Sequence, residues 1–145
     1  MTHANDLILT AALHRQIENE GIGAYPNECC GMMFGRDEKE RRIVHRLEPG
    51  RNAFEAGEQY HRFSIDPAQQ LEAEKKAEQE GLTLLGYYHS HPDCPARPSE
   101  YDRVHAWPFY SYVIVAIEKG SPALMTSWVL DDATEQFAEQ TIVSQ

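Results

Sequence analysis

The stretch GYYHSHPDCPARPSEYD, residues 86 to 102, contains the side chains whose types and spacing could do chemistry. His89 and His91 stand one residue apart at the end of an apolar run that is typical of a β-strand. Since residues i and i+2 of a strand point to the same face, both imidazoles can aim at one point. Two histidines placed in this way can supply two of the ligands of a zinc ion.

Asp102 is the candidate for a third ligand. Catalytic zinc takes three protein ligands and leaves the fourth position for water, and a carboxylate is a common companion of two histidines. The proline-rich connection between His91 and Asp102 is stiff, which lowers the entropy cost of holding the carboxylate opposite the end of the strand. A metal site that activates water is therefore one interpretation of this stretch.

A structural interpretation of the same residues also exists. Ser99-x-x-Asp102 has the pattern of a helix capping box, in which the serine caps the helix and the acid bonds back to the serine. A His-x-His pair on a strand is more often a surface pair than a pair of ligands. Each of the two patterns is weak evidence for a metal site by itself, and it is their joint occurrence that favours one.

Hydrophobic periodicity predicts the elements that must position these residues. Helices are predicted from an N-cap at Thr10 to near Gly21, from the Asp66-Pro67 start to Glu80, and from Ser99 to about Ala106. Strands are predicted at 7–9, at 28–35 with a hairpin partner at 41–47 after an RDEKE turn, at 82–91, at 110–117 and at 123–130. Residues 134–143 are predicted as a strand or a helix, and residues 49–63 as a loop.

The alternation of strands and helices predicts an α/β protein, a mixed β-sheet flanked by helices in a single domain over residues 1–145. The chain has 23 acidic and 13 basic residues, a formal net charge of -10, which disfavours nucleic acid as a partner. The sequence shows neither a signal-peptide pattern nor a membrane span, so we expect a soluble, cytoplasmic protein that does not bind membranes. Three cysteines are too few for a disulfide scaffold.

The motif as a whole resembles that of a known family. The order His89-x-His91, seven residues, Ser99, two residues, Asp102 reproduces the pattern of the JAMM (MPN-plus) zinc metalloproteases. The segment YPNECCGMMFG resembles the setting of the upstream glutamate of that family, here Glu28. The helix before Glu28 and the strand SYVIV are also similar to the short bacterial members, so the resemblance covers most of the chain. It implies a cytidine-deaminase-like α/β fold.

The resemblance also implies a role for each residue of the motif. His89, His91 and Asp102 would bind one zinc ion. Glu28 would be the general acid and base, and Ser99 would help to hold the tetrahedral intermediate. Outside this context, a glutamate such as Glu28 is usually a solvated carboxylate at the start of a strand.

The function that the resemblance implies is hydrolysis of the amide bond after the C-terminal Gly-Gly of a small ubiquitin-like sulfur-carrier protein. The enzyme would remove a C-terminal residue or release cysteine assembled on the carrier. The alternatives are a deubiquitinase-like isopeptidase for other ubiquitin-like conjugates and a non-catalytic metal-binding scaffold of the same fold. A zinc deaminase is disfavoured, because that chemistry needs H-x-E and P-C-x-x-C motifs that the chain lacks. The oligomeric state stays open.

Some further residues have both a structural and a functional interpretation. Cys29 and Cys30 are expected to be buried apolar thiols, whereas Cys94 is a loop residue that could lie beside the metal. His105 could support a ligand or lie at the surface. Residues 107–110, Trp-Pro-Phe-Tyr, could form an aromatic wall near the site or pack in the core. The basic residues between 36 and 51 could steer an acidic protein partner, although a solvated hairpin is the more ordinary interpretation.

Overall fold

The computed structural model describes residues 5–51 and 64–145. Within these residues the chain forms strands and helices in an order that agrees with the predicted α/β class. The elements are β1 (Asp6–Leu9), α1 (Ala11–Ala24), β2 (Cys30–Glu38), β3 (Arg41–Pro49), α2 (Pro67–Gln79), β4 (Thr83–Pro92), α3 (Glu100–His105), β5 (Ser111–Glu118), β6 (Ser121–Leu130), β7 (Phe137–Gln140) and β8 (Ile142–Ser144).

The strands form one mixed sheet in the order β7-β6-β5-β4-β2-β3-β1-β8. Strand β4 lies near the middle, where it pairs antiparallel with β2 and parallel with β5. Strands β7 and β8 settle the alternative left open for residues 134–143 in favour of strands. The prediction of a mixed sheet flanked by helices is confirmed.

The two long helices cover opposite faces of the sheet. Ile17 of α1 packs into a core with Met33, Leu85 and Val115, whereas Ala73 of α2 packs into a second core that includes other residues of β2 and β4. Adjacent residues of a strand point to opposite faces, so one strand can contribute to both cores. Strand β4 is therefore buried on both of its faces, which fixes the direction of every side chain along it.

Helix α1 begins as predicted and ends later than predicted. The Thr10 side chain accepts a hydrogen bond from the backbone N–H of Leu13, as an N-cap should. The helix continues past Gly21 to Ala24, so the expected stop at this glycine is wrong. A Cβ at Gly21 would lie 2.9 Å from the Ile117 side chain, which means that the glycine lets the helix approach the sheet closely.

The hairpin of β2 and β3 is longer than the sequence suggested. The RDEKE segment is not a turn as a whole, because its first three residues continue β2 and only residues 39 and 40 turn. The prediction of a solvated hairpin holds for Arg36, Lys39, Arg41 and Arg51, which are exposed, but not for every basic residue of the segment. Arg42 is buried, with its guanidinium 3.5 Å from the Asp37 carboxylate and bonded to the Ser111 hydroxyl at 2.9 Å.

The remaining boundaries agree closely with the sequence pattern. Helix α2 starts with Asp66 as N-cap and Pro67 at the first position, and helix α3 ends one residue before the predicted end at Ala106. Of the loop predicted at 49–63, Pro49 belongs to β3 and residues 52–63 lie outside the described part of the chain. Among the described residues, the helices are all too short or too polar to cross a lipid bilayer.

Gly31 on β2 offers a test of this packing. Its register partner is the fully buried Tyr88, and a Cβ at Gly31 would lie 2.1 Å from the end of the tyrosine ring. The Tyr88 hydroxyl donates a hydrogen bond to Glu20, so the ring is held in place. We expect Gly31→Ala to lower the free energy of unfolding by about 3 kcal/mol, measured by urea denaturation.

Gly23 in α1 provides the matched control. A Cβ there would meet no atom within 4 Å. Gly23→Ala is expected to raise the free energy of unfolding by about 0.5 kcal/mol, because alanine loses less backbone entropy in a helix. Equal stability of the two variants would contradict the packing described for Gly31.

Candidate metal centre

Strand β4 delivers both histidines to one point. His89 and His91 lie on the same face at its carboxyl end, and their Nε2 atoms are 3.1 Å apart. Both side chains are buried, with 1% and 7% of their surface exposed. A histidine pair at the surface, the structural interpretation of this motif, is therefore excluded.

Asp102 joins the pair from helix α3. Its Oδ2 atom lies 3.3 Å from Nε2 of His89 and 3.2 Å from Nε2 of His91. The described part of the chain thus brings together the three residues that the sequence predicted as ligands. The segment between β4 and α3 returns the chain to the end of the strand, since it is followed by the helix whose Asp102 lies within 3.3 Å of both histidines.

The geometry of the three donor atoms fits a metal ion. Their separations of 3.1, 3.2 and 3.3 Å form a nearly equilateral triangle. Ligands of a tetrahedral zinc ion with bonds of about 2.0 Å are about 3.3 Å apart, so one ion can contact all three atoms. Within residues 5–51 and 64–145, the donor set of two imidazoles and one carboxylate leaves the fourth tetrahedral position without a protein ligand.

A hydrogen bond fixes the orientation of His91. Its Nδ1 atom lies 2.9 Å from the carbonyl oxygen of Pro95, which can only accept. In a neutral ring Nδ1 therefore carries the proton, and the lone pair of Nε2 points towards the other two donors. Such a bond to the outer nitrogen is the usual way in which a metal-binding histidine is oriented.

The pKa shifts of Asp102 and His89 suit a cation, whereas at His91 a cation would compete with a proton. Burial would raise the pKa of Asp102, but the two histidines and the Ser99 backbone N–H outweigh it and hold the pKa below its ordinary value. Complete burial lowers the pKa of His89, although Asp102 opposes this shift. Burial also lowers the pKa of His91, but its hydrogen bonds with Asp102 and Pro95 have the larger effect and raise the pKa above its ordinary value. An ionised Asp102 and a neutral His89 are the forms that bind a metal.

Ser99 forms the predicted capping box with Asp102. The Ser99 hydroxyl oxygen accepts the backbone N–H of Asp102 at 3.0 Å, and Oδ2 of Asp102 accepts the backbone N–H of Ser99 at 2.9 Å. The structural and the functional interpretations of Ser99-x-x-Asp102 are thus compatible. The cap orients the same carboxylate oxygen that meets the histidines.

Glu28 lies close to this centre, just before β2. Its side chain is 7% exposed, so it is not the solvated carboxylate that a glutamate usually is. Burial raises its pKa to about 8, while His91 lowers the pKa and Asp102 raises it. Both charges act on Glu28, and its pKa is in the range that suits proton transfer near neutral pH.

The cysteines lie outside the ligand group. Cys29 and Cys30 are free and buried as expected, and burial raises their thiol pKa values to about 11 and about 12. Cys94 is free and exposed, and it does not belong to the described cluster of ligand atoms.

A groove lies beside the ligands, and the sequence predicted only a small part of its aromatic lining. This cavity of about 270 Å³ has His89 and Asp102 in its wall, together with the aromatic residues Tyr87, Tyr101, Trp107, Tyr112 and Phe137. His105 also lines it and donates its Nδ1–H to the Tyr101 carbonyl. Of the predicted aromatic wall, only Trp107 takes part, since Phe109 lies under the Arg42 guanidinium and Tyr110 packs against a core.

The fold and the site together define a JAMM-type domain, and the comparison with known families agrees. The sequence of residues 9–131 matches the protein family described as prokaryotic homologs of the JAB domain. The chain belongs to this family. The resemblance to the JAMM metalloproteases is thereby confirmed.

Curated relatives and solved structures support the assignment. The chain is 33% identical over 107 residues to the desampylase of Pyrococcus furiosus, covering 72% of this chain and 68% of that protein. It is 40% identical over 90 residues to a probable TtuB-protein conjugate cleaving protease of Thermus thermophilus, covering 61% and 55%. A solution structure from Desulfitobacterium hafniense matches with a TM-score of 0.84 and 33% identity, covering 96% and 92% of the two chains.

A more distant structure confirms the fold. The crystal structure of a JAB1/MPN domain protein from Archaeoglobus fulgidus matches with a TM-score of 0.55 and 17% identity, covering 98% of this chain and 99% of that one. At this identity the likeness concerns the arrangement of the sheet and helices.

Substitution of Asp102 tests the ligand set. Asp102→Asn keeps an oxygen that can cap α3 but removes the charge that a cation needs. We expect its zinc affinity, measured by competition with a chelating dye, to fall by more than about a hundredfold. The control is Glu100→Gln, an acid-to-amide change in the same helix at a residue that pairs with Arg103. Equal zinc affinity of the two variants would show that Asp102 is only a cap.

Proposed function

We propose that this protein is a zinc-dependent peptidase that hydrolyses the amide bond after the C-terminal Gly-Gly of a small ubiquitin-like sulfur-carrier protein. The observation that carries the proposal is the triangle of His89, His91 and Asp102 donor atoms with the buried Glu28 nearby. The triangle leaves one coordination position open, which is the arrangement of a catalytic zinc site. Glu28 would act as the general acid and base for a water molecule at that position.

Zinc bound by His89, His91 and Asp102 would supply Lewis-acid chemistry, polarising the scissile carbonyl and lowering the pKa of a coordinated water to about 7. The remaining work falls to the residues of the chain. Glu28 would take the proton of the attacking water and give it to the leaving amine. Burial raises the pKa of the Glu28 carboxyl, and the charge of a bound cation would lower it, so that the group could both accept and donate a proton near neutral pH.

Ser99 would stabilise the oxyanion that develops on the scissile carbonyl. Its hydroxyl oxygen accepts the Asp102 N–H, so its own hydrogen can be donated to a substrate oxygen. The backbone of the helix start holds the hydroxyl in position. A preorganised donor of this kind contributes about a hundredfold or more to the rate.

The names of the relatives bear on the substrate. A desampylase and a probable TtuB-protein conjugate cleaving protease both point to small protein modifiers as the substrate class. The word conjugate favours a second candidate function, an isopeptidase that releases a ubiquitin-like protein from a lysine side chain. Both reactions cleave an amide after the modifier's C-terminus, so the same site could perform either.

A non-catalytic scaffold of the same fold is the third possibility. Such a scaffold would have no need of a complete ligand set. Here all three donor atoms and the buried glutamate are in place, which favours the enzyme. Purified protein that binds no zinc would favour the scaffold instead.

Glu28→Gln provides the first test of the proposal. We expect this variant to retain stoichiometric zinc but to lose at least about a hundredfold in turnover, because the amide cannot transfer the proton. The substrate is a small sulfur-carrier protein extended beyond Gly-Gly by cysteine, and the product is followed by intact-mass analysis. His91→Ala, in contrast, is expected to lose both the metal and the activity.

The outcomes separate the parts of the proposal. Cleavage by the wild type alone supports a peptidase for carrier tails. If the zinc-loaded wild type leaves the carrier intact, the substrate class is wrong and isopeptide-linked conjugates are the next substrate. Equal loss of zinc in Glu28→Gln and His91→Ala would contradict the roles assigned to these residues.

The aromatic groove suggests where part of the carrier binds. Trp107 lines it and is 68% exposed, so its removal should not disturb folding. We expect Trp107→Ala to raise the KM for the carrier about tenfold and to leave kcat nearly unchanged, since a buried indole contributes about 1.5–3 kcal/mol. Leu124→Ala, which truncates another exposed apolar side chain away from the groove, serves as the control. An unchanged KM in Trp107→Ala would exclude the groove as a binding site.

A further inference from the structure

The segment that carries Glu28 is fastened to strand β4 by a buried serine. Ser90, the residue between the two histidines, is completely buried. Its hydroxyl oxygen accepts the backbone N–H of Cys29 at 2.8 Å, and its own backbone N–H donates to the Cys29 carbonyl at 3.2 Å. The residue after Glu28 is therefore held by two hydrogen bonds.

Ser90 points away from the candidate metal centre. Its neighbours His89 and His91 lie on the opposite face of β4, where their donor atoms meet Asp102. On its own face Ser90 packs against helix α1, so closely that a Cβ at Gly21 would be 3.3 Å from the Ser90 Cβ. The hydroxyl thus reaches the site only through the backbone next to Glu28.

A second tether holds the other end of the same segment. The Tyr25 hydroxyl donates a hydrogen bond of 2.7 Å to Oδ2 of Asp93. The other oxygen of Asp93 accepts the backbone N–H of Lys119, also at 2.7 Å. Ser90 and Asp93 are on either side of His91 in the chain, and their partners Cys29 and Tyr25 are on either side of Glu28. Glu28 and His91 are accordingly held to one another from both sides.

We infer that Ser90 is a positioning residue that holds Glu28 in register with the His89–His91–Asp102 triangle. The inference rests on the proposed function, in which Glu28 is the acid and base. Alanine at position 90 would leave the buried Cys29 N–H without its acceptor, a state that proteins avoid. The segment would shift to satisfy that N–H, and Glu28 would shift with it. Proton transfer is sensitive to such a displacement, because a misplacement of about 1 Å can lower a rate about a hundredfold.

The test compares Ser90→Ala with Ser127→Ala. Ser127 is equally buried, and its hydroxyl also makes a side-chain hydrogen bond, to Gln140 on β7. Both variants lose one buried hydrogen bond, but only Ser90→Ala loosens the segment of Glu28. We expect Ser90→Ala to lower kcat about tenfold without change in KM or zinc stoichiometry, and Ser127→Ala to leave kcat unchanged.

Amide hydrogen exchange of the zinc-free proteins gives a readout that does not depend on turnover. The Cys29 amide should exchange about tenfold faster in Ser90→Ala than in the wild type, while the amides of β5 are unaffected. Unchanged exchange at Cys29, or an equal loss of kcat in both alanine variants, would overturn the inference. A wild type without turnover would overturn the proposed function, and the exchange measurement would still decide whether Ser90 holds the segment.

Tyr25→Phe covers the case in which Ser90→Ala does not fold. It removes only the outer tether, whose hydroxyl is at the surface. We expect it to lower kcat about threefold with KM and zinc binding unchanged. A kcat equal to that of the wild type would show that the Tyr25–Asp93 hydrogen bond does not position Glu28.

Discussion

The alternation of side chains along β4 is the constraint on which the site depends. The strand is buried on both faces, so a shift by one residue would move every side chain to the wrong face. Its odd-numbered residues from Tyr87 to His91 face the groove and the candidate metal centre. Tyr88 and Ser90 face α1 and hold, respectively, Glu20 and the backbone beside Glu28. One strand therefore supplies ligands on one side and their support on the other.

The rest of the fold brings distant parts of the chain to the end of this strand. The antiparallel pairing of β2 places the segment of Glu28 beside the histidines, since Cys30 pairs directly with His89. The parallel pairing of β5 requires a crossover, and that crossover contains helix α3 with Asp102. The ionisable groups of the buried centre thus come from three separate parts of the chain, namely β4, helix α3 and the segment before β2. Each of them is fixed by sheet pairing or by a helix cap, and not by contacts within the site alone.

Much of this could be predicted from local signals. Each of three features can be recognised from a few residues that are adjacent in sequence. They are the His-x-His pair, the capping box at Ser99 and the proline at the start of α2. The misjudged end of α1 at Gly21 depends on the distance to Ile117, which no local pattern reveals. Apart from Trp107, the lining of the groove could not be predicted either, because its aromatic residues come from separate elements that only the folded sheet brings together. Local rules predicted His89, His91 and Asp102, the family resemblance added Glu28, and neither predicted the packing around the site.

The cap of helix α3 has a consequence for how the protein would acquire its ion. Because hydrogen bonds between Ser99 and Asp102 start the helix, folding alone can assemble the three donor atoms. The conformational entropy of bringing them together is then lost during folding and does not weaken ion binding. Small zinc modules, in contrast, fold only around their metal. A cation bound by these three atoms could therefore be removed by a chelator while the chain remains folded.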